Sequence, residues 1–144
     1  MTDKRIYYKL NMARHLLSKR VDSILEKRLG IKSVQVGAIF FLLTNDGCML
    51  GELSAGLNLN NSAITGLVSR MEKAGLLKKV PCSVDGRSFR LFLTQKAKQI
   101  GKKAFPLMTQ FNQRLYSGFT ETELEVVNRF LDSAIKLAKE KDDE

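Results

Sequence analysis

Apolar residues in the first thirty positions recur every three or four: Ile6, Leu10, Ala13, Leu17, Val21 and Ile24. That spacing predicts one long amphipathic helix, with Gly30 as its stop. Ser33 is expected to cap a second helix through Val36, Ile39, Phe40 and Leu43, apolar on most sides and therefore buried. Asn45-Asp46-Gly47 ends it with turn chemistry. Leu50, Leu53 and Leu57 then share one face of a short helix, and Asn58-Leu59-Asn60 makes a turn. A further helix opens at Asn60 or Asn61, sends Ile64, Leu67, Val68 and Met71 inward, and stops at Gly75, a residue suited to the left-handed cap position. Its outward positions are Ser62, Ala63, Thr65, Gly66, Ser69 and Arg70, all small, hydrogen-bonding or cationic.

After Gly75 the period shortens to that of strands. Residues 76–82 and 88–93 flank Ser83-Val84-Asp85-Gly86-Arg87, and Asp-Gly between two strand patterns predicts a hairpin. Thr94 is expected to cap a helix reaching about Ser117, with a bend at Pro106. Thr120 and Glu123 form a capping box before a last helix striped by Leu124, Val127, Leu131, Ala134 and Ala138. The predicted class is mainly α with a small β-hairpin wing: a winged helix-turn-helix over residues 33–94, an N-terminal helix over 1–32 and C-terminal helices over 95–144. The apolar stripes of the terminal helices suit either packing within one chain or association of two.

Charge sharpens this picture. Residues 60–104 hold ten Lys/Arg against two Asp/Glu, and residues 1–32 hold nine against three. From Phe119 onward the sign reverses, with four against eight. A localised basic field attracts phosphate backbones, whose released counterions drive binding. Two cysteines, Cys48 and Cys82, make neither a disulfide framework nor a metal-spaced cluster. The N-terminus has no apolar signal core, and no apolar run spans a bilayer, so a cytoplasmic, non-membrane protein is expected. A single histidine, with no paired-carboxylate motif, nucleophile arrangement or phosphate loop, argues against an enzyme; no metal or cofactor is expected.

A helix-turn-helix presents the N-terminal half of its second helix to the major groove. Small polar residues there admit close approach of the backbone. Asn60 and Asn61 stand at its start; Asn61 can read adenine, Ser62, Thr65 and Ser69 can reach base edges or phosphates, and Arg70 suits phosphate better than a base. The hairpin carries Lys78, Lys79, Arg87 and Arg90, with Arg87 at a tip able to enter a narrow minor groove. The alternative for the tip is a tight turn with a solvated arginine.

The helix ending Met71-Glu72 with Gly75-Leu76, the Asp85 and Arg87 of the hairpin, and the closing Leu93-Thr94 resemble the MarR family of bacterial transcription regulators, whose pattern is L-E-x-x-G-L, D-x-R and L-T. The resemblance covers nearly the whole chain. It implies a homodimer joined through the terminal helices, which reads a palindromic double-stranded DNA operator. It implies Arg87 as the minor-groove arginine, Asp85 as the residue that positions the wing, and Ser62, Thr65 and Arg70 as contacts from the recognition helix. The sequence departs from the family at Gly66, where many relatives have arginine, and at Ala97, where glycine often follows L-T.

The resemblance also implies a crevice for a small aromatic or phenolic effector, with Tyr8, Arg14, His15, Phe40 and Phe41 as candidates; His15 suits equally a packing role. In such a fold a short strand near Cys48 pairs with the second hairpin strand while Cys82 lies in the first. The two are therefore expected on opposite sides of that middle strand, as structural residues rather than a redox pair. The expected function is that of a repressor released by such a ligand. The alternative is a winged helix used for protein contact or DNA architecture, without effector control.

Overall fold

The computed structural model describes residues 4–82 and 88–142. Along them run α1 (Ile6–Leu29), α2 (Ser33–Thr44), β1 (Cys48–Met49), α3 (Leu50–Leu57), α4 (Asn61–Lys73), β2 (Leu77–Pro81), β3 (Phe89–Leu93), α5 (Gln95–Tyr116) and α6 (Glu121–Lys139). The mainly helical class with a small antiparallel sheet is the one expected. The chain forms two compact units, Met1–Leu107 and Met108–Glu144.

In the first unit, Gly30 closes α1 in the left-handed region at φ 66°, its N–H donating to the Glu26 carbonyl at 3.0 Å. Ser33 proves to be the first helical residue of α2 and not its cap. Lys32 holds the cap position, and an ammonium offers no acceptor to the free N–H groups of the first turn. Asp22 of α1 supplies one instead: its Oδ1 accepts the Ser33 N–H at 2.7 Å, while Gln35 Oε1 accepts the Lys32 N–H at 3.2 Å. A carboxylate there also faces the positive end of the helix dipole.

Val36, Ala38, Ile39 and Leu42 bury α2 among Val21 and Leu25 of α1, Leu53 of α3 and the sheet. Of the apolar stripe foreseen on α1, only Val21 is fully buried, and Leu25 joins it. Two glycines set close approaches to α2. The Phe41 ring lies against the Gly56 backbone, and a Cβ on Gly101 would stand 3.1 Å from Ile39 Cγ2.

The sheet has the order β1-β3-β2, all antiparallel. Leu77 pairs with Leu93 and Lys79 with Leu91, so Leu77, Leu91 and Leu93 fill one face over the core while Lys78, Val80, Arg90 and Phe92 occupy the other. Beyond the ladder, the Cys82 N–H donates to the Ser88 carbonyl at 2.8 Å. Thr94 Oγ1 accepts the Ala97 N–H at 3.2 Å and so caps α5, which continues through Pro106. Ala97 itself is fully buried.

In the second unit, Thr120 and Glu123 form the expected capping box, at 3.2 Å and 2.8 Å, and start α6. No residue of α6 is buried within the chain. Val126, Val127, Phe130, Leu131, Ile135 and Leu137 all stand exposed on it.

Candidate nucleic-acid interface

The turn between α3 and α4 is built by local hydrogen bonds. Asn58 takes the left-handed conformation at φ 52°, which asparagine tolerates better than most side chains. Ser54 Oγ donates to the Leu59 carbonyl at 2.6 Å, and the Leu59 N–H returns to the Ser54 carbonyl at 3.0 Å. Asn60 then caps α4, its Oδ1 accepting the Ala63 N–H at 2.8 Å. Ile64, Leu67, Val68 and Met71 are buried, each contributing about 1.5–3 kcal/mol of apolar transfer. That packing fixes which face of α4 looks outward.

The outward face carries Asn61, Ser62, Thr65 and Arg70 exposed, with Ser69 and Gly66 half-buried. Helical periodicity puts Ser62, Gly66 and Ser69 on its central line, and Lys73, exposed at the far end, falls on the same line. Lys73 is absent from the residues foreseen above, although the same periodicity read one turn further would have reached it. Asn60 is partly committed, because its carbonyl oxygen serves the cap.

The hairpin root lies against this helix. Lys78 is exposed on the outer face of β2. The Lys79 ammonium stands 3.8 Å from a Glu72 carboxylate oxygen and 5.9 Å from the Phe89 ring centroid, so part of its charge is balanced by α4. Arg90 donates through Nη1 to the Gly47 carbonyl at 3.0 Å. Asp46 accepts the Leu93 N–H at 3.0 Å, and the Gly47 N–H donates to the Leu91 carbonyl at 2.8 Å. The three bonds fasten β3 to the turn after α2. Thr94 Oγ1 and Lys96 Nζ donate to the carbonyls of Gly75 and Ala74, closing the C-terminal end of α4. Asp85 and Arg87, the turn residues assigned to the wing tip, lie outside the described residues.

The five residues foreseen around an effector do not converge. Tyr8, Arg14 and His15 stand exposed on α1. Phe41 rests on Gly56, toward α3, and Phe40 lines a cavity. That cavity, of about 420 Å³, lies between α2 and α5 and is lined by Phe40, Leu43, Lys98, Gly101, Lys102 and Phe105. The Phe40 and Phe105 rings meet edge to face at 6.4 Å between centroids. Lys98 and Lys102, one helical turn apart, set two cations beside an apolar slot. Sequence periodicity does not reveal such a groove, because its two walls are sixty residues apart in the chain.

Cys48 and Cys82 are both free thiols on opposite sides of β3, as expected from the strand order. Burial, and then the nearby Glu52 carboxylate, push the Cys48 thiol above its ordinary value. Among the described residues, no group of three or more His, Cys, Asp or Glu side chains is placed to hold a metal ion, and no helix is long and apolar enough to cross a membrane.

Two short helices joined by a tight turn, followed by a hairpin whose second strand pairs with a strand before them, define a winged helix-turn-helix. Residues 29–88 match the model of the MarR family. The chain is 25% identical to the HTH-type transcriptional regulator BilQ of Clostridioides difficile over 131 residues, 88% of each protein. In fold it is similar to Sco3205, a MarR family transcriptional regulator of Streptomyces coelicolor solved in complex with DNA, with a TM-score of 0.88 and 18% identity over 98% of this chain and 91% of that one. It is also similar to the PcaV transcriptional regulator of the same organism, solved with its natural ligand, with a TM-score of 0.80 and 21% identity over 96% and 99% of the chains.

Proposed function

We propose that this chain is a sequence-specific double-stranded DNA-binding transcription regulator, acting as a homodimeric repressor and not as an enzyme. One observation carries the reading: α4 is anchored by four buried residues and turns outward a face of small, polar and cationic side chains beside a basic hairpin. Such a face can enter the major groove, where Asn61, Ser62, Thr65 and Ser69 meet base edges or phosphates. Lys73 and Lys78 serve phosphates, and Asn60, Lys79 and Arg90 divide their groups between the fold and the backbone. Arg87 is assigned to the minor groove, and Asp85 to positioning the wing.

One recognition helix contacts too few bases to select a site. Two copies related by a two-fold axis read half-sites about 34 Å apart, and hence a palindrome. The exposed apolar side chains of α6, together with Ile6, Tyr8, Met12 and Leu16 on α1, supply the area for association. Such a regulator works in the cytoplasm, where the DNA is.

The test is a titration of the protein against duplex from its own promoter region and against random duplex, at several salt concentrations. Preference for the promoter site of about a thousandfold or more is expected. Equal affinity with the same salt slope would favour an architectural role and overturn the proposal.

A second reading rests on the cavity between α2 and α5. An edge-to-face pair of rings and two lysines suit a small aromatic carboxylate or phenol, its ring against Phe40 and Phe105 and the anionic group toward Lys98 and Lys102. Hydroxybenzoates should raise the thermal midpoint of the parent protein and release its DNA. A Lys98→Ala, Lys102→Ala double variant that responds equally would remove the cavity from consideration.

A further inference from the structure

Gly66 occupies the middle of α4, where glycine costs helix stability relative to alanine. Two other helical glycines have packing reasons: a Cβ on Gly56 would meet the Phe41 ring, and one on Gly101 would crowd Ile39 and Leu43. Gly51 stands in the first turn of α3, and a Cβ on Gly37 would reach only ordinary contact with Leu57, at 3.7 Å. At Gly66 a Cβ would meet nothing but the Arg70 side chain, its Nη1 at 3.1 Å and its Cζ at 3.9 Å. The fold itself therefore gives no reason for the missing side chain.

We propose that Gly66 and Arg70 form one specificity device: the gap at Gly66 seats the Arg70 guanidinium on the central line of the recognition helix, where it reads guanine. The inference rests on the reading of α4 as the DNA reader. By periodicity Arg70 leaves α4 on the flank of the outward face, toward the end of the helix, a place suited to phosphate. Folding back by one turn carries its guanidinium over Gly66, between Ser62 and Ser69. A planar fork of donors there matches the O6 and N7 acceptors of guanine, the commonest specific contact in the major groove. Ser62 and Ser69 are too short to compete for that space. A Cβ at position 66 would stand 3.1 Å from Nη1 and shift the guanidinium by a few tenths of an ångström, off the alignment a bidentate contact needs. A longer side chain would displace it further, so the glycine leaves the space in which the arginine lies over the centre.

The experiment selects bound sequences from a pool of duplexes with about 30 randomised base pairs, enough for two half-sites one turn apart. The parent, Gly66→Ala, Arg70→Ala and Arg70→Lys proteins are compared, and thermal midpoints are measured alongside. The parent should enrich a two-fold motif with one strongly preferred guanine in each half-site. Arg70→Ala and Arg70→Lys should lose that preference by about tenfold or more, lysine lacking the bidentate fork. Gly66→Ala should lose much of it too, while its thermal midpoint rises by about 2–4 °C as the helix gains an alanine. A more stable protein that discriminates less is something a merely structural glycine does not produce.

If Gly66→Ala weakens binding equally to every sequence, the gap admits the DNA backbone and the proposal is overturned. An unchanged motif in Gly66→Ala or Arg70→Ala overturns it as well. A parent that enriches no motif overturns sequence-specific reading itself, and this inference with it.

Discussion

The contact between Phe41 and Gly56 sets how closely α3 approaches α2, and its replacement by Gly56→Ala opposes two effects of opposite sign. Alanine inside an exposed helix gains about 0.5–1 kcal/mol over glycine. The new methyl would meet three atoms of the Phe41 ring, including Cδ2 at 2.7 Å and Cζ at 2.8 Å, distances no real Cβ tolerates. Overpacking of this kind costs about 1–3 kcal/mol. Phe41 is only half-buried, so its ring can swing outward, but it then surrenders part of the roughly 1.5–3 kcal/mol that burial of a phenylalanine supplies. The clash therefore wins, and Gly56→Ala should be less stable by about 1–2 kcal/mol, a fall of about 2–8 °C in the thermal midpoint. Urea unfolding at fixed protein concentration measures it, since association would shift the midpoint by mass action. Phe41→Leu should suppress the loss in the double variant, with a coupling of about 0.5–3 kcal/mol in a double-mutant cycle. A Gly56→Ala protein as stable as the parent would refute the reasoning, because it would mean that the ring yields at no cost.

Three further outcomes are expected. Because burial raises the Cys48 thiol above its ordinary 9.0, the folded state keeps a proton that the unfolded chain releases, so this contribution is fully present below 9.0 and is lost as pH rises from there through the raised folded value. The thermal midpoint of the parent should accordingly fall more steeply above pH 9.0 than that of Cys48→Ala, and a thiol reagent near neutral pH should modify Cys82 before Cys48; equal slopes and equal labelling rates would contradict this. Arg90→Ala should lower the stability of the free protein by about 1 kcal/mol through loss of the bond to the Gly47 carbonyl, whereas a residue serving phosphate alone would leave it unchanged. Asn60→Ala should cost about 1 kcal/mol and Asn60→Ser should restore it, because serine also caps; denaturant titration of both would expose any other role for the Asn60 oxygen.

The helices, the turn between α3 and α4, and both strands of the hairpin were legible because their signals are local. Gly30, Gly75, Thr94 and the pair Thr120 and Glu123 mark boundaries within a few residues of where they act. The start of α2 is not legible, for the complementary reason. Ser33 is a good cap by type, but its N–H is answered by Asp22, eleven positions back on another helix. The hairpin cations read alike in sequence and differ in the fold: Lys78 stays exposed, Lys79 faces Glu72, and Arg90 reaches a carbonyl 43 residues away. Three of the five effector candidates lie on α1, whereas the cavity lined by Lys98 and Lys102 belongs to α2 and α5 and includes only Phe40 of them. Residues that meet through tertiary packing leave no periodic trace.

The fastening of β3 to the turn after α2 bears on whether the DNA reader can be transplanted. A chimera that joined α3, α4 and the hairpin to a foreign scaffold at Leu50 would omit Asp46, Gly47 and Cys48. It would leave the Leu93 N–H without its carboxylate, the Arg90 guanidinium without its carbonyl, and the outer edge of β3 without a neighbour. An uncovered strand edge invites pairing between molecules. The reading head is thus not a detachable cassette, and its smallest exchangeable piece begins upstream of Asn45.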